Sequence, residues 1–371
     1  MSERSIPRPR SRIGFAAVVL AVALALALVA GGAVAVLGLF DVSARQNHSA
    51  PVAWFLHYVM RRSVAAHAAE LTPPNLDSSA LILRGARHFA TGCAPCHGAP
   101  GQLASPIARQ MTPTPPPLYS AARQFTPDEL FWIIQNGVKM TAMPGWPASD
   151  RADEVWAMVA FVEQLPRLNT EAYRRLAGDT AGEGFLGPSP GGGSGPGGFD
   201  AAPCARCHGP GGEGREGAFP QIAGLPAPYI AASLRAFRDG DRHSGFMQPI
   251  AAAMDDAAIE AAARYYSQLP RKSVAGPPAN QETLARGAAV FDGKASNQQA
   301  PACTGCHAGG GTAAIPDLRG QPADYLLTQL QLLAGGERGG PEPGRETMAR
   351  AHGLAADDMR AVAAYLASLP P

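Results

Sequence analysis

All six cysteines of this 371-residue chain fall into three short motifs of the same form. The motifs read Cys93-Ala-Pro-Cys96-His97, Cys204-Ala-Arg-Cys207-His208 and Cys303-Thr-Gly-Cys306-His307. In each, two thiols stand three positions apart and a histidine follows directly. Because the arrangement occurs three times, we expect a fold built around three copies of one site.

The CxxCH pattern is the attachment signature of c-type haem. Two thiols one helical turn apart can form thioethers to both vinyl groups of one porphyrin, and the adjacent imidazole then points at the iron. A redox dithiol would not need the histidine in every copy, and a zinc site would need two more ligands per copy. Three isolated pairs would also make a poor disulfide framework. We therefore expect three covalently attached haems c.

Each copy closes with a similar helix that a proline ends. The segments read EVWAMVAFVEQLP (154–166), AIEAAARYYSQLP (258–270) and MRAVAAYLASLP (359–370). Phe161, Tyr265 and Tyr365 each stand four residues before the leucine of Leu-Pro. Apolar residues recur at helical spacing and proline cannot continue a helix. This repetition predicts an array of three similar domains.

An opening helix is recognisable before two of the motifs. Gly85 and Phe89 precede the first motif, and Gly287 and Phe291 precede the third, at the same Gly-x-x-x-Phe spacing. A glycine there would let the closing helix approach closely, with its aromatic residue beside it. The second copy lacks this pattern, so either its first helix is short and irregular or residues 170–177 supply one from a distance.

The N-terminus carries an export or anchoring signal. Residues 14–40 contain no charged residue, and this length is sufficient to span a hydrocarbon core of roughly 30 Å. Arginines at positions 4, 8, 10 and 12 precede the segment, so the positive-inside rule predicts a cytoplasmic N-terminus over 1–13. A cleaved signal peptide, cut near Ala33-Val34-Ala35, is the alternative to an anchor over 14–40.

Three aromatic residues follow this segment at positions 54, 55 and 58. Trp54, Phe55 and Tyr58 are interpreted either as rings at the membrane surface or as the buried face of a helix over 51–67. The chain also contains 42 glycines and 35 prolines, which favours small domains, long loops and a flexible linker over 178–199. The net charge of +1 argues against a nucleic-acid partner.

Each copy resembles a class I cytochrome c. Residues 200–371 resemble the two-haem cytochrome c4 type in the segments Pro220-Gln-Ile-Ala-Gly-Leu-Pro-Ala-Pro-Tyr229 and Pro316-Asp-Leu-Arg-Gly-Gln-Pro-Ala-Asp-Tyr325. Residues 80–166 resemble single-haem bacterial cytochromes with an NGVKMTAMPGW-type segment. The resemblance implies a mainly α fold of three tandem cytochrome c domains after an N-terminal transmembrane helix. The expected divisions after the helix are a juxtamembrane segment over 41–79, domain 1 over 80–177, the linker, domain 2 over 200–271 and domain 3 over 280–371.

The resemblance also implies axial ligands for each haem iron. His97, His208 and His307 would bind one side, and methionines in the loops before the closing helices would bind the other. The candidates are Met143, Met247 and Met348, against the rivals Met140, Met254 and Met359. His243 and His352 lie near the same loops, where an ordinary surface or loop role is expected and iron ligation is the alternative.

Further residues enter through the same resemblance. The carbonyls of Pro116, Pro220 and Pro316 would orient the motif histidines, and for the first of them the prolines over 113–117 offer several choices. Arg242 and Arg338, each ending a Gly-x-Arg segment, would pair with haem propionates or remain solvated surface charges.

Closed His/Met irons carry electrons, whereas an open iron binds small ligands. We therefore expect an electron-transfer protein rather than an enzyme, anchored in a bacterial inner membrane with its haem domains in the periplasm. It would connect a respiratory dehydrogenase or quinol-oxidising complex to a terminal oxidase or soluble acceptor. The alternatives are a cytochrome subunit of a periplasmic dehydrogenase of the alcohol dehydrogenase type and a haem peroxidase.

Overall fold

The computed structural model describes residues 10–39, 41–178, 199–215, 217–272, 279–295, 302–307, 315–338 and 354–371. Within these ranges the chain is mainly helical and has isolated β-bridges but no strand, as the sequence predicts. The chain forms two compact units, Met1–Asn47 and His48–Pro371.

The first unit contains helix α1, Arg10–Val36. Its part from Gly14 to Val36 has a mean hydropathy of 2.7 and is long and apolar enough to cross a membrane. A signal sequence near an N-terminus has the same properties. The helix ends at Val36, four residues before the end of the apolar segment.

The second unit begins with helix α2, Ala50–Ala68. The C-terminal half of α2 packs on domain 1, where Val64 and Ala68 are buried and the His67 ring lies 5.4 Å from the Trp132 ring. The N-terminal half is exposed. Trp54, Phe55 and Tyr58 are 68%, 57% and 52% exposed, so the interpretation of these rings as a buried helix face is wrong.

Domain 1 is built around the crossing of its opening and closing helices. The helices are α3 Ser79–Gly92, α4 Ala94–His97, α5 Leu118–Ala121, α6 Pro127–Asn136, α7 Ala152–Gln164 and α8 Thr170–Ala177. A Cβ on Gly85 in α3 would lie 2.0 Å from the Ala157 carbonyl oxygen of α7, so only glycine permits this approach. Phe161 of α7 lies beside Gly85, as the sequence pattern predicts, and its ring is 5.1 Å from the Phe89 ring.

Domain 3 repeats this crossing. Its described helices are α13 Gln281–Phe291, α14 Thr304–His307, α15 Ala323–Ala334 and α16 Ala356–Ser368. A Cβ on Gly287 would lie 2.2 Å from the Ala361 carbonyl oxygen, and the Phe291 and Tyr365 rings are 6.1 Å apart. The glycine therefore has the same function in both domains.

Domain 2 departs from this plan. Its described helices are α9 Ala202–His208, α10 Ala227–Asp239, α11 Met247–Ala252 and α12 Asp256–Ser267. The suggestion that residues 170–177 supply its opening helix is wrong, because Tyr173 and Ala177 of α8 lie in the core of domain 1. Phe199 instead packs at 5.5 Å from Tyr265 and 6.1 Å from Tyr266. Most of the expected linker, 179–198, lies outside the described residues.

Candidate functional site

The three motif histidines each end a short helix, α4, α9 or α14, and are oriented in the same way. His97 Nδ1 lies 2.7 Å from the carbonyl oxygen of Pro116, and the corresponding distances are 2.9 Å for His208 to Pro220 and 2.8 Å for His307 to Pro316. A carbonyl only accepts, so Nδ1 carries the proton and donates it, and the ring lone pair is at Nε2. This tautomer presents Nε2 to a metal. The three predicted proline partners are confirmed.

The motifs of domains 1 and 2 and His307 of domain 3 line one continuous cavity of about 1000 Å³. Both cysteines and the histidine of each of the first two motifs face it. Apolar side chains such as Leu130, Met158 and Ile230 also contribute to its walls. The size and apolar lining suit large flat macrocycles bound beside the motifs.

Two of the motif thiols have pKa values well above the ordinary value for cysteine. Burial raises the pKa of Cys93 to about 12 and that of Cys204 to about 11. A catalytic redox dithiol has the opposite property, a lowered pKa that stabilises the thiolate. None of the six cysteines forms a disulfide, and the described residues contain no cluster of three or more metal-binding side chains. The raised thiol pKa values fit thioether attachment better than the redox-dithiol alternative.

Two of the three candidate methionines lie in the described part of the chain, and both line the cavity. Met143 stands in the loop before α7, whereas its rival Met140 is 95% exposed. Met247 lies in the first turn of α11, so the expectation that it stands in a loop is wrong. Its rival Met254 also lines the cavity but is buried in the core of domain 2.

Four further candidate ligands remain. Two of them lie outside the described residues, and the other two lie within them. Met348 and His352 lie outside the described residues. Met359 is a buried residue of α16. The His243 ring lies 2.6 Å from a carboxylate oxygen of Asp150, at the contact between domains 1 and 2.

The two Gly-x-Arg arginines lie side by side between domains 2 and 3. Arg242 donates to the Gln329 side-chain oxygen at 2.9 Å, and Arg338 donates to the Tyr229 hydroxyl at 3.1 Å. Arg242 is buried, so the interpretation of this residue as a solvated surface charge is wrong. Among the described residues, neither guanidinium forms an ion pair with a carboxylate, a setting that suits the propionates of a bound haem.

The sequence interpretation missed a buried carboxylate in the wall of this cavity. Glu154, in the first turn of α7, is 2% exposed and lies 3.0 Å from the Arg151 guanidinium. Burial raises the pKa of Glu154, while the charge of Arg151 acts in the opposite direction. A signal was present, because residue 154 precedes Ala157 by three positions and Phe161 by seven and so shares their buried helix face.

Comparison with known proteins covers all three domains. The family model for cytochrome c oxidase, cbb3-type, subunit III matches residues 80–162, and the cytochrome c model matches residues 195–270 and 284–370. A thiosulfate dehydrogenase electron acceptor of Thiomonas intermedia (strain K12) is 37% identical over 151 residues, which are 38% of this chain and 67% of that protein.

Two further relatives match over a somewhat larger share of their own lengths. A protein of the same description from Stutzerimonas stutzeri (strain A1501) is 35% identical over 174 residues, 46% of this chain and 80% of that protein. Cytochrome c4 of Pseudomonas aeruginosa is 31% identical over 174 residues, 46% of this chain and 85% of that protein. Together with the repeated motifs and their oriented histidines, these matches show that the chain belongs to the multihaem class I c-type cytochromes and is an electron-transfer protein.

Proposed function

We propose that the chain is a membrane-anchored trihaem cytochrome c in which every iron has histidine and methionine ligands. The covalent attachment sites are Cys93, Cys96, Cys204, Cys207, Cys303 and Cys306, and the axial ligands are His97 with Met143, His208 with Met247, and His307 with Met348. The observation that carries the proposal is the common orientation of the three histidines by proline carbonyls, with Met143 and Met247 on the wall of the same cavity.

Bound haem supplies a one-electron redox couple at each of these sites. The chain contributes the thiols that hold the group, the imidazoles that approach it in one tautomer and the apolar walls that exclude water. A methionine sulfur as the second protein ligand would close the iron to external ligands and raise the reduction potential of that haem. This arrangement suits electron transfer and disfavours peroxidase chemistry.

A location on the outer face of a bacterial inner membrane is part of the proposal. The apolar helix Gly14–Val36 supports a membrane anchor, and haem attachment to apocytochromes follows export. The exposed rings of Trp54, Phe55 and Tyr58 support contact of α2 with the membrane surface, since tryptophan and tyrosine favour that interface.

The electron donor is proposed to be a dehydrogenase. Two relatives are described as thiosulfate dehydrogenase electron acceptors, which supports a periplasmic dehydrogenase, with thiosulfate as the first substrate to test. The electron acceptor would be a terminal oxidase or a soluble redox protein.

Haem stoichiometry tests the cofactor proposal. Pyridine haemochrome analysis should give three haems per chain, and replacement of Cys204 or Cys207 should remove one haem only, because each domain binds its own. A value of two or fewer for the unmodified protein would contradict the proposal.

Reduction kinetics test the donor. The oxidised full-length protein in detergent, mixed with thiosulfate and a purified thiosulfate dehydrogenase, should be reduced at a rate proportional to the dehydrogenase concentration. Thiosulfate without the enzyme is the control. An absence of reduction by this enzyme, together with rapid reduction by an alcohol dehydrogenase and its substrate, would assign the chain to a different dehydrogenase.

A further inference from the structure

The Glu154 carboxylate joins domains 1 and 2 beside the segments that carry two candidate iron ligands. Its Oε1 accepts a hydrogen bond from the Ser244 hydroxyl at 2.5 Å, and its Oε2 accepts one from the Gly245 backbone N–H at 2.6 Å. Oε2 also accepts from Trp146 Nε1–H at 3.2 Å. Ser244 and Gly245 belong to domain 2, whereas Trp146 belongs to domain 1.

Each of these donors stands close in sequence to a candidate methionine ligand. Trp146 follows Met143 by three residues, and Gly245 precedes Met247 by two. The Ser244 hydroxyl also accepts a hydrogen bond from the Met247 backbone N–H at 3.1 Å. A continuous chain of hydrogen bonds therefore runs from Glu154 through Ser244 to the backbone of Met247.

The surroundings hold the carboxylate in one place. Arg151 is anchored to domain 2 through a hydrogen bond from Nη1 to the His243 carbonyl oxygen at 2.8 Å. The Trp146 and Phe246 rings meet edge to face at 5.5 Å, and the His88 ring lies 5.1 Å from Trp146 and 4.8 Å from Phe246. Glu154 itself is 2% exposed, and hydrogen bonds to a carboxylate with so little access to water are stronger than those at the surface.

We propose that Glu154 is a positioning residue that holds the methionine-bearing segments of domains 1 and 2 together, so that one carboxylate maintains the sixth ligand of two haems. Removal of this buried carboxylate would leave its three hydrogen-bond donors and the Arg151 guanidinium without their partner, and unpaired polar groups in a protein interior cost free energy. The segments would relax toward water, and Met143 and Met247 would leave their irons more often. Domain 3 has no contact with this carboxylate among the described residues, so its haem keeps its ligand.

The inference rests on the proposed His/Met ligation. Spectroscopy of the intact full-length protein tests the ligation and the role of Glu154 separately. In the oxidised protein, the near-infrared band of the methionine–iron bond reports ligation. In the reduced protein, the ring current shifts each ligand methionine methyl group upfield in the proton NMR spectrum, so the three haems are counted individually.

Glu154→Ala should lose the upfield methyl signals of two haems and retain those of the third, and its near-infrared band should weaken accordingly. Carbon monoxide binding by the reduced variant should rise from near zero toward two per chain. Glu154→Gln keeps the size and one acceptor oxygen, so it should retain more of both signals than the alanine variant. Asp256→Asn, an exposed acid in the first turn of α12, is the matched control and should leave the spectra unchanged.

Variants that remove one hydrogen-bond donor at a time keep the inference testable if Glu154→Ala does not fold. Ser244→Ala should weaken the signal of one haem, that of domain 2, and Trp146→Phe should weaken a different one, that of domain 1. Wild-type spectra for Glu154→Ala, equal losses at all three haems, or an unchanged signal in both single-donor variants would overturn the inference while leaving the proposed function intact. An unmodified protein that shows no methionine ligation would overturn both.

Discussion

The Trp146 ring packs against Gly245 so closely that a Cβ on this glycine would lie 2.3 Å from ring atoms Cε2 and Nε1. The two residues lie in different domains, and they belong to the segments that carry Met143 and Met247. The backbone of domain 2 thus approaches an aromatic side chain of domain 1 at a point where any side chain would interfere.

Gly245→Ala is therefore expected to separate domains 1 and 2. Overpacking of this kind costs about 1–3 kcal/mol. Denaturant unfolding should show a lower midpoint for these two domains. Gly335→Ala, where the nearest heavy atom to a Cβ would be 3.4 Å away, an ordinary contact distance, is the matched control. A Gly245→Ala midpoint equal to that of the control would show that the two domains do not pack in this way.

The helix crossings predict a domain-specific effect of two other glycines. Gly85→Ala and Gly287→Ala each place a methyl group against a backbone carbonyl, so each should destabilise its own domain by more than about 2 kcal/mol. Limited proteolysis with haem staining of the fragments should show selective loss of domain 1 in the first variant and of domain 3 in the second. Loss of the same fragment in both would contradict the assignment.

Acid should weaken the contact between domains 1 and 2 through His88. Burial, with the nearby positive charge of Arg206, lowers the pKa of His88 to about 4. The folded protein therefore keeps this ring neutral, and the unfolded chain binds more protons below pH 6.5. Stability should fall as the pH decreases from about 6.5 to about 4, by up to about 3 kcal/mol.

The measurement is the free energy of unfolding across this pH range, compared with that of His88→Phe. The variant retains an aromatic ring but cannot titrate, so its curve should be flatter between pH 6.5 and 4. The exposed His48 provides the control, His48→Phe. Parallel curves for the wild type and His88→Phe would refute this explanation.

Ligand variants should distinguish each methionine from its rival. Met143→Ala and Met247→Ala should each open one iron, lower the potential of that haem and add one carbon monoxide binding site per chain. Met140→Ala should change nothing, because Met140 is exposed. Met254→Ala should lower stability by about 2–5 kcal/mol without opening an iron. New carbon monoxide binding in Met140→Ala or Met254→Ala, measured by optical titration, would reverse the corresponding assignment.

The exposed half of α2 should be protected by lipid. In nanodiscs, amides of residues 50–60 of the full-length protein should exchange hydrogen more slowly than in a variant with Trp54, Phe55 and Tyr58 replaced by serine. Residues 61–68, whose contacts are with domain 1, should exchange equally in both and serve as an internal control. Equal exchange at 50–60 would exclude a membrane contact of these rings.

Local spacing in the sequence was sufficient to predict the helical domains, and the resemblance to class I cytochromes c supplied the orienting prolines. Two cysteines and a histidine at fixed separation specify their chemistry wherever the segment folds. Gly85 and Phe161, though distant in sequence, belong to a pattern that recurs around Gly287 and Tyr365, and the repetition revealed their contact. These features depend on helix periodicity and on residue size, both of which can be read directly from the sequence.

The relations between the domains could be decided only by the tertiary structure. Glu154 and Ser244 are separated by 90 residues, and neither lies in a motif that marks the other. The same holds for Trp146 with Gly245 and for the placement of α8 in the core of domain 1 rather than domain 2. The physical reason is that a buried polar contact is stable only when its partner, its desolvation and the surrounding packing are all present. Those three conditions come from segments far apart in the chain, and they are met together only after the chain has folded.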